Sequence, residues 1–212
     1  MSIAVILANG IPPRRETLER ALEGASLFVC ADGGANTAVQ YELRNPDAIV
    51  GDFDSAAPAA LSHFRGTQQI RDTDTESNDA EKAVAWVLAQ DPAPGEVRIY
   101  GATAGRLDHV LGSLSLLHRY RDRARIVLED DAIRAWLAAG VVTIDEPPGT
   151  VVSFFAVGEP AENVTTENLR YPLRNCRIAL GSQDSLSNVV SARPARVTIG
   201  RGHLVFVVVK QP

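Results

Sequence analysis

The segment Ala48-Ile-Val-Gly-Asp-Phe-Asp-Ser55 delivers two carboxylates, Asp52 and Asp54, at alternate positions after a short apolar run. If residues 49–53 form a strand, both side chains leave the same side of the chain at its end. Carboxylates held together repel unless a cation lies between them. For hard oxygen donors that do not enclose their ion, that cation is Mg²⁺, which keeps waters and takes further ligands from substrate phosphates. The same residue types also suit a solvated Asx-type turn after a strand. The company these residues keep favours the metal reading.

Three further segments share this character. The apolar run Leu27–Ala31 ends in Asp32-Gly-Gly-Ala-Asn36. An acid-rich turn, Arg71-Asp-Thr-Asp-Thr-Glu-Ser-Asn-Asp79, precedes a helical face of Ala80, Ala83, Val84, Val87 and Leu88. Asn78 or Ser77 suits the N-cap, with Glu81 completing a capping box if Asn78 caps. Asp79 then sits in the first turn, where it either faces a site at the helix mouth or compensates the helix dipole. After an apolar run at 97–100 comes Gly101-Ala-Thr-Ala-Gly-Arg-Leu-Asp-His109. There Gly101 and Gly105 bracket a small-residue turn containing Thr103, whose backbone amides can approach a phosphate. Arg106 offers that phosphate a planar, permanently charged fork, or else closes a salt bridge. The turn is not a G-x-x-x-x-G-K-S/T phosphate loop, and His109 reads as a surface residue at a helix start.

The elements that must position these residues alternate in type. Short apolar runs at Ile3–Leu7, Leu27–Ala31, Ala48–Gly51, 97–100 and 126–128 read as strands, with helices over 17–22, 37–43, 80–88 and 110–120. That is the pattern of parallel βαβ units, a Rossmann-like α/β domain. Beyond Leu137 the helical period fades. Runs at Val141–Ile144, 151–157, 177–180, 196–199 and Leu204–Val209 read as strands of a small all-β sandwich or barrel. The expected domains are 1–135 (α/β) and 136–212 (β). Leu204 to Val209 are so uniformly apolar that a single sheet would leave one face wet, which makes a covering second subunit plausible.

The 212 residues carry a net charge of −5 and no basic stripe. This argues against nucleic acid or an anionic membrane as partner. Cys30 and Cys176 are too few for a disulfide framework. The apolar N-terminus lacks a basic flank and reads as a strand rather than a leader, so a cytoplasmic location is expected.

Asp32, Asp52, Asp54, Asp79, Arg106 and Asp108 all follow strands or open helices. In an open α/β sheet such places share one edge, where ligands bind. Many carboxylates and few lysines suit metal-assisted transfer of a phosphoryl-type group.

Ala31-Asp-Gly-Gly-Ala-Asn36, Gly51-Asp-Phe-Asp-Ser55 and Gly105-Arg-Leu-Asp-His109 resemble, in order, signature segments of the thiamine pyrophosphokinase family. Thr166-Glu-Asn-Leu-Arg-Tyr-Pro-Leu173 is similar to the family's T-x-G-L-K-Y-P-L, and Ser185-Leu-Ser-Asn188 to its Ser-x-Ser-Asn segment. Asn168 stands where the family often has glycine. Asp72, Asp74 and Asp79 compete for one family position, and the register with Lys82-Ala83 selects Asp79.

The resemblance implies an α/β domain binding ATP and Mg²⁺, a β domain contributing the thiamine site, and a homodimer with shared active sites. It implies metal binding by Asp52, Asp54 and Asp79, charge stabilisation by Arg106, and a role for Asp108 in orienting the thiamine hydroxyl or binding metal. Asp32, Gly33, Gly34, Asn36, Ser55, Gly101, Thr103 and Gly105 fall in segments that bind ATP or substrate. Tyr171 offers an aromatic face for a cationic ring. Ser185, Ser187 and Asn188 offer hydrogen bonds to the aminopyrimidine.

Two other readings stand beside this one. Asp52-x-Asp54 mimics the paired aspartates of a Mg²⁺-dependent phosphohydrolase, although those follow a first strand and here the first strand ends in Asn9-Gly10. A non-catalytic nucleotide- or thiamine-binding regulator would bind ligand without releasing AMP. A dinucleotide-dependent oxidoreductase would need the G-x-G-x-x-G that is missing after the first strand.

Overall fold

Strands of a parallel sheet are covered on both faces, so their sequences are apolar almost throughout. The computed structural model, which describes residues 2–210, shows this in the first of two compact units, the one that ends at Asp131. Its elements run β1 (Ile3–Leu7), α1 (Arg15–Glu23), β2 (Leu27–Ala31), α2 (Gly34–Gln40), β3 (Ala48–Gly51), α3 (Pro58–His63), β4 (Gln68–Arg71), α4 (Asp79–Leu88), β5 (Glu96–Tyr100), α5 (Leu107–Arg119) and β6 (Arg125–Glu129). The strands are parallel, in the order β6-β5-β1-β2-β3-β4.

The chain leaves β1 outward through β2, β3 and β4, then returns to β5 on the other side of β1. That reversal makes a topological switch point between β1 and β5, where open α/β sheets bind ligands. Val5, Leu7, Phe28, Cys30 and Ile49 form one buried layer with Leu18 and Leu22 of α1 and Phe64 beyond α3. Helix α4 packs against β1, β2 and β3. Two elements of this unit were not expected. The edge strand β4, Gln-Gln-Ile-Arg, is mostly exposed and so carries no apolar run. The short helix α3 begins on Pro58 without a side-chain cap.

The second unit begins at Ala132. It comprises β7 (Ile133–Ala138), β8 (Val141–Ile144), β9 (Val151–Phe155), β10 (Ala161–Glu167), β11 (Cys176–Ile178), β12 (Ser185–Val189), β13 (Ala195–Thr198) and β14 (Leu204–Val209). Antiparallel pairing gives the orders β12-β9-β14-β7 and β11-β10-β13-β8. Phe206 of β14 stacks on Trp136 at 5.6 Å and lies 5.5 Å from Phe154. Strands β7, β10 and β12 lie outside the strands expected from the sequence: β10 and β12 interleave polar residues with few apolar ones, whereas β7, Ile-Arg-Ala-Trp-Leu-Ala, is apolar but for Arg134.

Strand β14 is mostly covered within one chain. Its Leu204, Val205, Phe206 and Val208 are at most 2% exposed within a single chain. The strand lies between β7 and β9; Leu204, Phe206 and Val208 share one buried face, while on the other Val207 is half-buried and Val209 is exposed. Asn168 has φ +58°. The left-handed region is open to glycine and, among other residues, favours asparagine, which accounts for asparagine where the family often has glycine.

Candidate active site

A single acid organises the carboxyl edge of the parallel sheet. Asp32 follows β2 in the left-handed region at φ +43° and is fully buried. Its Oδ2 accepts the Ser55 N–H at 3.0 Å, and its Oδ1 accepts the Ala56 N–H at 3.2 Å. Asn36 completes the grip. Its Nδ2 donates to Ser55 O at 2.9 Å, and its Oδ1 accepts the Ala57 N–H at 2.8 Å. Loop 52–57 is thus tied to the mouth of α2 by two side chains from the Asp-Gly-Gly-Ala-Asn segment.

This grip replaces the strand geometry expected for Asp52 and Asp54. β3 stops at Gly51, and Phe53 takes φ +67°. The Asp54 N–H donates to Asp52 Oδ1 at 3.0 Å, an Asx turn. The carboxylates still converge. One oxygen from each of Asp32, Asp52 and Asp54 lies within 4.8 Å of the others. Local turn and metal site, posed as alternatives from the sequence, are compatible here: the turn is the device that brings the acids together.

Like charges so placed are costly without a cation. Burial pushes the Asp32 carboxyl above the usual carboxylate range, and the negative charges of Asp79 and Asp54 add to the rise against the Ser55 and Ala56 amides. Three hard oxygen donors, one buried and two reachable from solvent, fit a small divalent cation that keeps part of its water shell.

Asp79 approaches the same side of Gly51 as Asp32. A Cβ on Gly51 would lie 2.7 Å from Asp32 Cβ and 3.2 Å from Asp79 Oδ1. Asn78 caps α4, its Oδ1 accepting the Glu81 N–H at 2.9 Å. One turn further in, Lys82 is buried, with its side chain 3% exposed. Its ammonium donates to Asp72 O at 3.0 Å and reaches Asp79 Oδ1 at 3.4 Å. A buried ammonium needs such partners, and this one anchors both ends of the acid-rich turn. Asp72 and Asp74 are occupied locally. Asp72 Oδ1 accepts the Asp74 N–H at 2.9 Å, and Asp74 accepts from Glu76 N at 3.0 Å and from the Ser77 hydroxyl.

A cavity of about 750 Å³ opens at the switch point, where its lining includes Asn9, Gly10, Asp54, Asp79, Gly105 and Arg106. Residues 8–10 and 101–104 approach closely here. A Cβ on Gly10 would sit 2.1 Å from Gly101 O. Gly101 (φ +73°) and Gly105 (φ +97°) use the left-handed freedom of glycine. Thr103 donates its hydroxyl to Asp130, which ties this turn to the end of β6. The Arg106 fork closes on Asp108, Nη2 to Oδ2 at 2.6 Å and Nε to Oδ1 at 3.2 Å. Both side chains are largely exposed, and the pairing lowers the Asp108 carboxyl while raising the Arg106 guanidinium.

Gly33 and Gly34 have packing reasons. A Cβ on Gly33 would collide with the Asn9 side chain at 2.3 Å, and one on Gly34 with Leu7 O at 2.0 Å. Asn9 and the rest of the 9–12 segment, absent from the residues expected from the sequence, also line the cavity. The signal available was Asn-Gly at the end of the first strand.

In the second unit, Tyr171 exposes its ring, while Asn188 is buried and hydrogen-bonded to the Tyr171 backbone. Ser185 is buried and accepts from Asn188 Nδ2 at 3.3 Å. Ser187 takes φ +54° and is exposed.

A parallel sheet with a cavity at its switch point, converging carboxylates and glycine-lined turns defines a phosphate-handling α/β enzyme. Residues 18–128 match the family described as "Thiamin pyrophosphokinase, catalytic domain", and residues 141–204 match "Thiamin pyrophosphokinase, vitamin B1 binding domain". The chain belongs to the thiamin pyrophosphokinase family. Thiamine pyrophosphokinase 2 of Arabidopsis thaliana is 30% identical over 212 residues, covering 88% of this chain and 79% of its own. Thiamine pyrophosphokinase 1 of Oryza sativa subsp. japonica is 29% identical over 220 residues, covering 92% and 83%. The solved structure of thiamin pyrophosphokinase from Geobacillus thermodenitrificans superposes with a TM-score of 0.84 at 27% identity, over 99% of this chain and 98% of that one. Among the described residues no helix is long and apolar enough to cross a membrane.

Proposed function

We propose that this protein transfers the pyrophosphoryl group of ATP to the hydroxyl of thiamine, forming thiamine diphosphate and AMP. The observation that carries the reading is the convergence of Asp32, Asp52 and Asp54 beside the switch-point cavity. Asp32, Asp52 and Asp54 are the residues that would hold Mg²⁺, with Asp79 close to Asp32 beside Gly51. When bound, Mg²⁺ offsets phosphate charge and helps orient the transferred group for in-line displacement.

The chain's own groups do the rest. Asp32 and Asn36 hold loop 52–57 in register with α2. Lys82 holds Asp79 and the 72–79 turn. The 101–105 backbone can approach a polyphosphate closely, with Arg106 at its end. The Arg106–Asp108 pair is exposed, so a phosphate can reach the guanidinium, which can exchange its carboxylate for a phosphate oxygen and stabilise charge on the transferred group. Incubation with ATP, Mg²⁺ and thiamine is expected to yield thiamine diphosphate and AMP in equal amounts. ADP or free phosphate as the nucleotide-derived product would overturn the assignment.

Tyr171, 58% exposed, is the aromatic face proposed for the thiamine ring. Tyr171→Ala should raise the thiamine KM roughly tenfold or more with the ATP KM unchanged, because one substrate alone loses contact. Tyr171→Phe keeps the ring and should be mild. Equal effects on both substrates would remove Tyr171 from the thiamine site.

We also propose a homodimer whose sites draw on both subunits, as the family resemblance implies. Asp54→Asn and Tyr171→Ala chains can be mixed through dissociation and reassociation, then assayed at thiamine too dilute for either parent. Random pairing should recover up to about a quarter of normal activity. Heterodimers confirmed by mass but without recovered activity would mean that each subunit works alone.

A further inference from the structure

In the second unit, residues 168–170 pair antiparallel with 189–191. The Ser191 N–H donates to Asn168 O at 2.9 Å, Leu169 bridges Val190, and the Arg170 N–H donates to Val189 O at 2.8 Å. The pairing runs out at Tyr171. The register sets Asn188 opposite Tyr171, and Ser187, opposite Pro172, is in the left-handed region at φ +54°. Its N–H turns to Ser153 Oγ at 2.9 Å, and the β12–β9 register shifts between Ser185 and Asn188.

The side chain of Asn188 fills the gap. Its Oδ1 accepts the Tyr171 N–H at 3.0 Å and the Val189 N–H at 2.9 Å. Its Nδ2 donates to Tyr171 O at 2.8 Å and to Ser185 Oγ at 3.3 Å. One carboxamide thus gives Tyr171 the acceptor and the donor that a neighbouring peptide group would have supplied. Two N–H groups meet the oxygen and two acceptors meet the amide hydrogens, which uses the group's donors and the ordinary capacity of its oxygen. Asn188 is 1% exposed, whereas the Tyr171 side chain it holds is open to solvent.

We infer that Asn188 is a positioning residue that fixes the backbone of Tyr171, and with it the aromatic face, without itself touching the substrate. This takes the place of the direct aminopyrimidine contact expected from the sequence. It rests on the reading of Tyr171 as the thiamine face. The residue type follows from the geometry. Aspartate would keep the acceptor but turn a second oxygen on Tyr171 O, and glutamine would reach one methylene too far.

The test has two arms. In the free protein, hydrogen exchange at the Tyr171 amide should speed up about tenfold or more in Asn188→Ala, while amides of β14 keep their protection. In the second arm, thiamine dissociation constants are measured for wild type, Asn188→Ala, Tyr171→Ala and the double variant. Each single change should weaken binding about tenfold, and the double variant no further, since a residue acting through Tyr171 has nothing left to act on. An additive loss of about a hundredfold would mean direct contact and overturn the inference, as would an unchanged exchange rate or an unchanged dissociation constant in Asn188→Ala. Should Asn188→Ala fail to fold, the isosteric Asn188→Asp takes its place. Failure of both, with Tyr171→Ala soluble, would make Asn188 a general scaffold residue and overturn the positioning role. Faster exchange in a protein whose wild type does not bind thiamine would support the clamp and sink the proposed substrate.

Discussion

Asp54→Asn is expected to lower turnover by about three orders of magnitude, equivalent to ~4 kcal/mol of transition-state stabilisation, with the fold intact. The Asp54 side chain is exposed, and its Oδ1 accepts the Ser55 hydroxyl at 2.8 Å, a bond that the asparagine oxygen can keep. No buried group is orphaned by the change. Asp52→Asn should behave alike, because Oδ1 remains available to the Asp54 N–H that closes the Asx turn. Each substitution removes one negative charge from a group of three, so the protein without metal should melt no lower than wild type and slightly higher if repulsion dominates. Asp32→Asn is the less clean experiment. Both Asp32 oxygens accept backbone N–H groups in a fully buried setting, and an amide nitrogen facing one of them would destabilise loop 52–57 as well. The check is kcat at saturating ATP, thiamine and Mg²⁺ alongside the melting temperature. A wild-type rate in either surface variant would remove that residue from the metal site. Loss of rate in step with unfolding would make the acids structural.

Gly34→Ala should act through stability. Its Cβ would lie 2.0 Å from Leu7 O and 2.9 Å from Leu7 C, both backbone atoms of β1. A strand flanked by β2 and β5 has little room to retreat. Relief therefore requires α2 to lift away from the sheet, which disturbs the Asp32 and Asn36 grips on loop 52–57. The cost is on the order of 3 kcal/mol or more, a fall in melting temperature of roughly 6–12 °C for a chain of this size. The alternative origin of this glycine, close approach of a phosphate, makes the opposite forecast. Under it, stability holds and the ATP KM alone rises. Thermal melts and ATP titrations on the one variant separate the two.

Much of this protein is written locally. Ile3–Leu7, Leu27–Ala31, Ala48–Gly51 and Leu204–Val209 are legible as strands because burial on both faces demands uninterrupted apolar residues. The Asn78 cap and the helix after it follow from side-chain reach within one turn. The acids at strand ends and helix starts are legible as a common edge because parallel strands all finish on the same side.

What the tertiary structure decided is whatever depends on partners distant in the chain. Edge strands β4 and β12 are polar because water meets one side of them, and only their neighbours make them strands. The approach of Asp52 and Asp54 comes from a left-handed Phe53 and from Asp32, far back in the chain, rather than from alternation along a strand. Gly33 and Gly34 read the same in sequence whether a phosphate or a neighbouring group comes close; only the fold sets the Asn9 side chain beside Gly33 and the Leu7 backbone beside Gly34. The run Leu204–Val209 reports that the strand must be covered, and the near-zero exposure of Leu204, Val205, Phe206 and Val208 shows that this chain covers most of it. Hydrophobic period and cap chemistry act over a few residues and survive in any linear reading. Hydrogen bonds between residues far apart in the chain exist only once folding has brought their partners within about 3 Å.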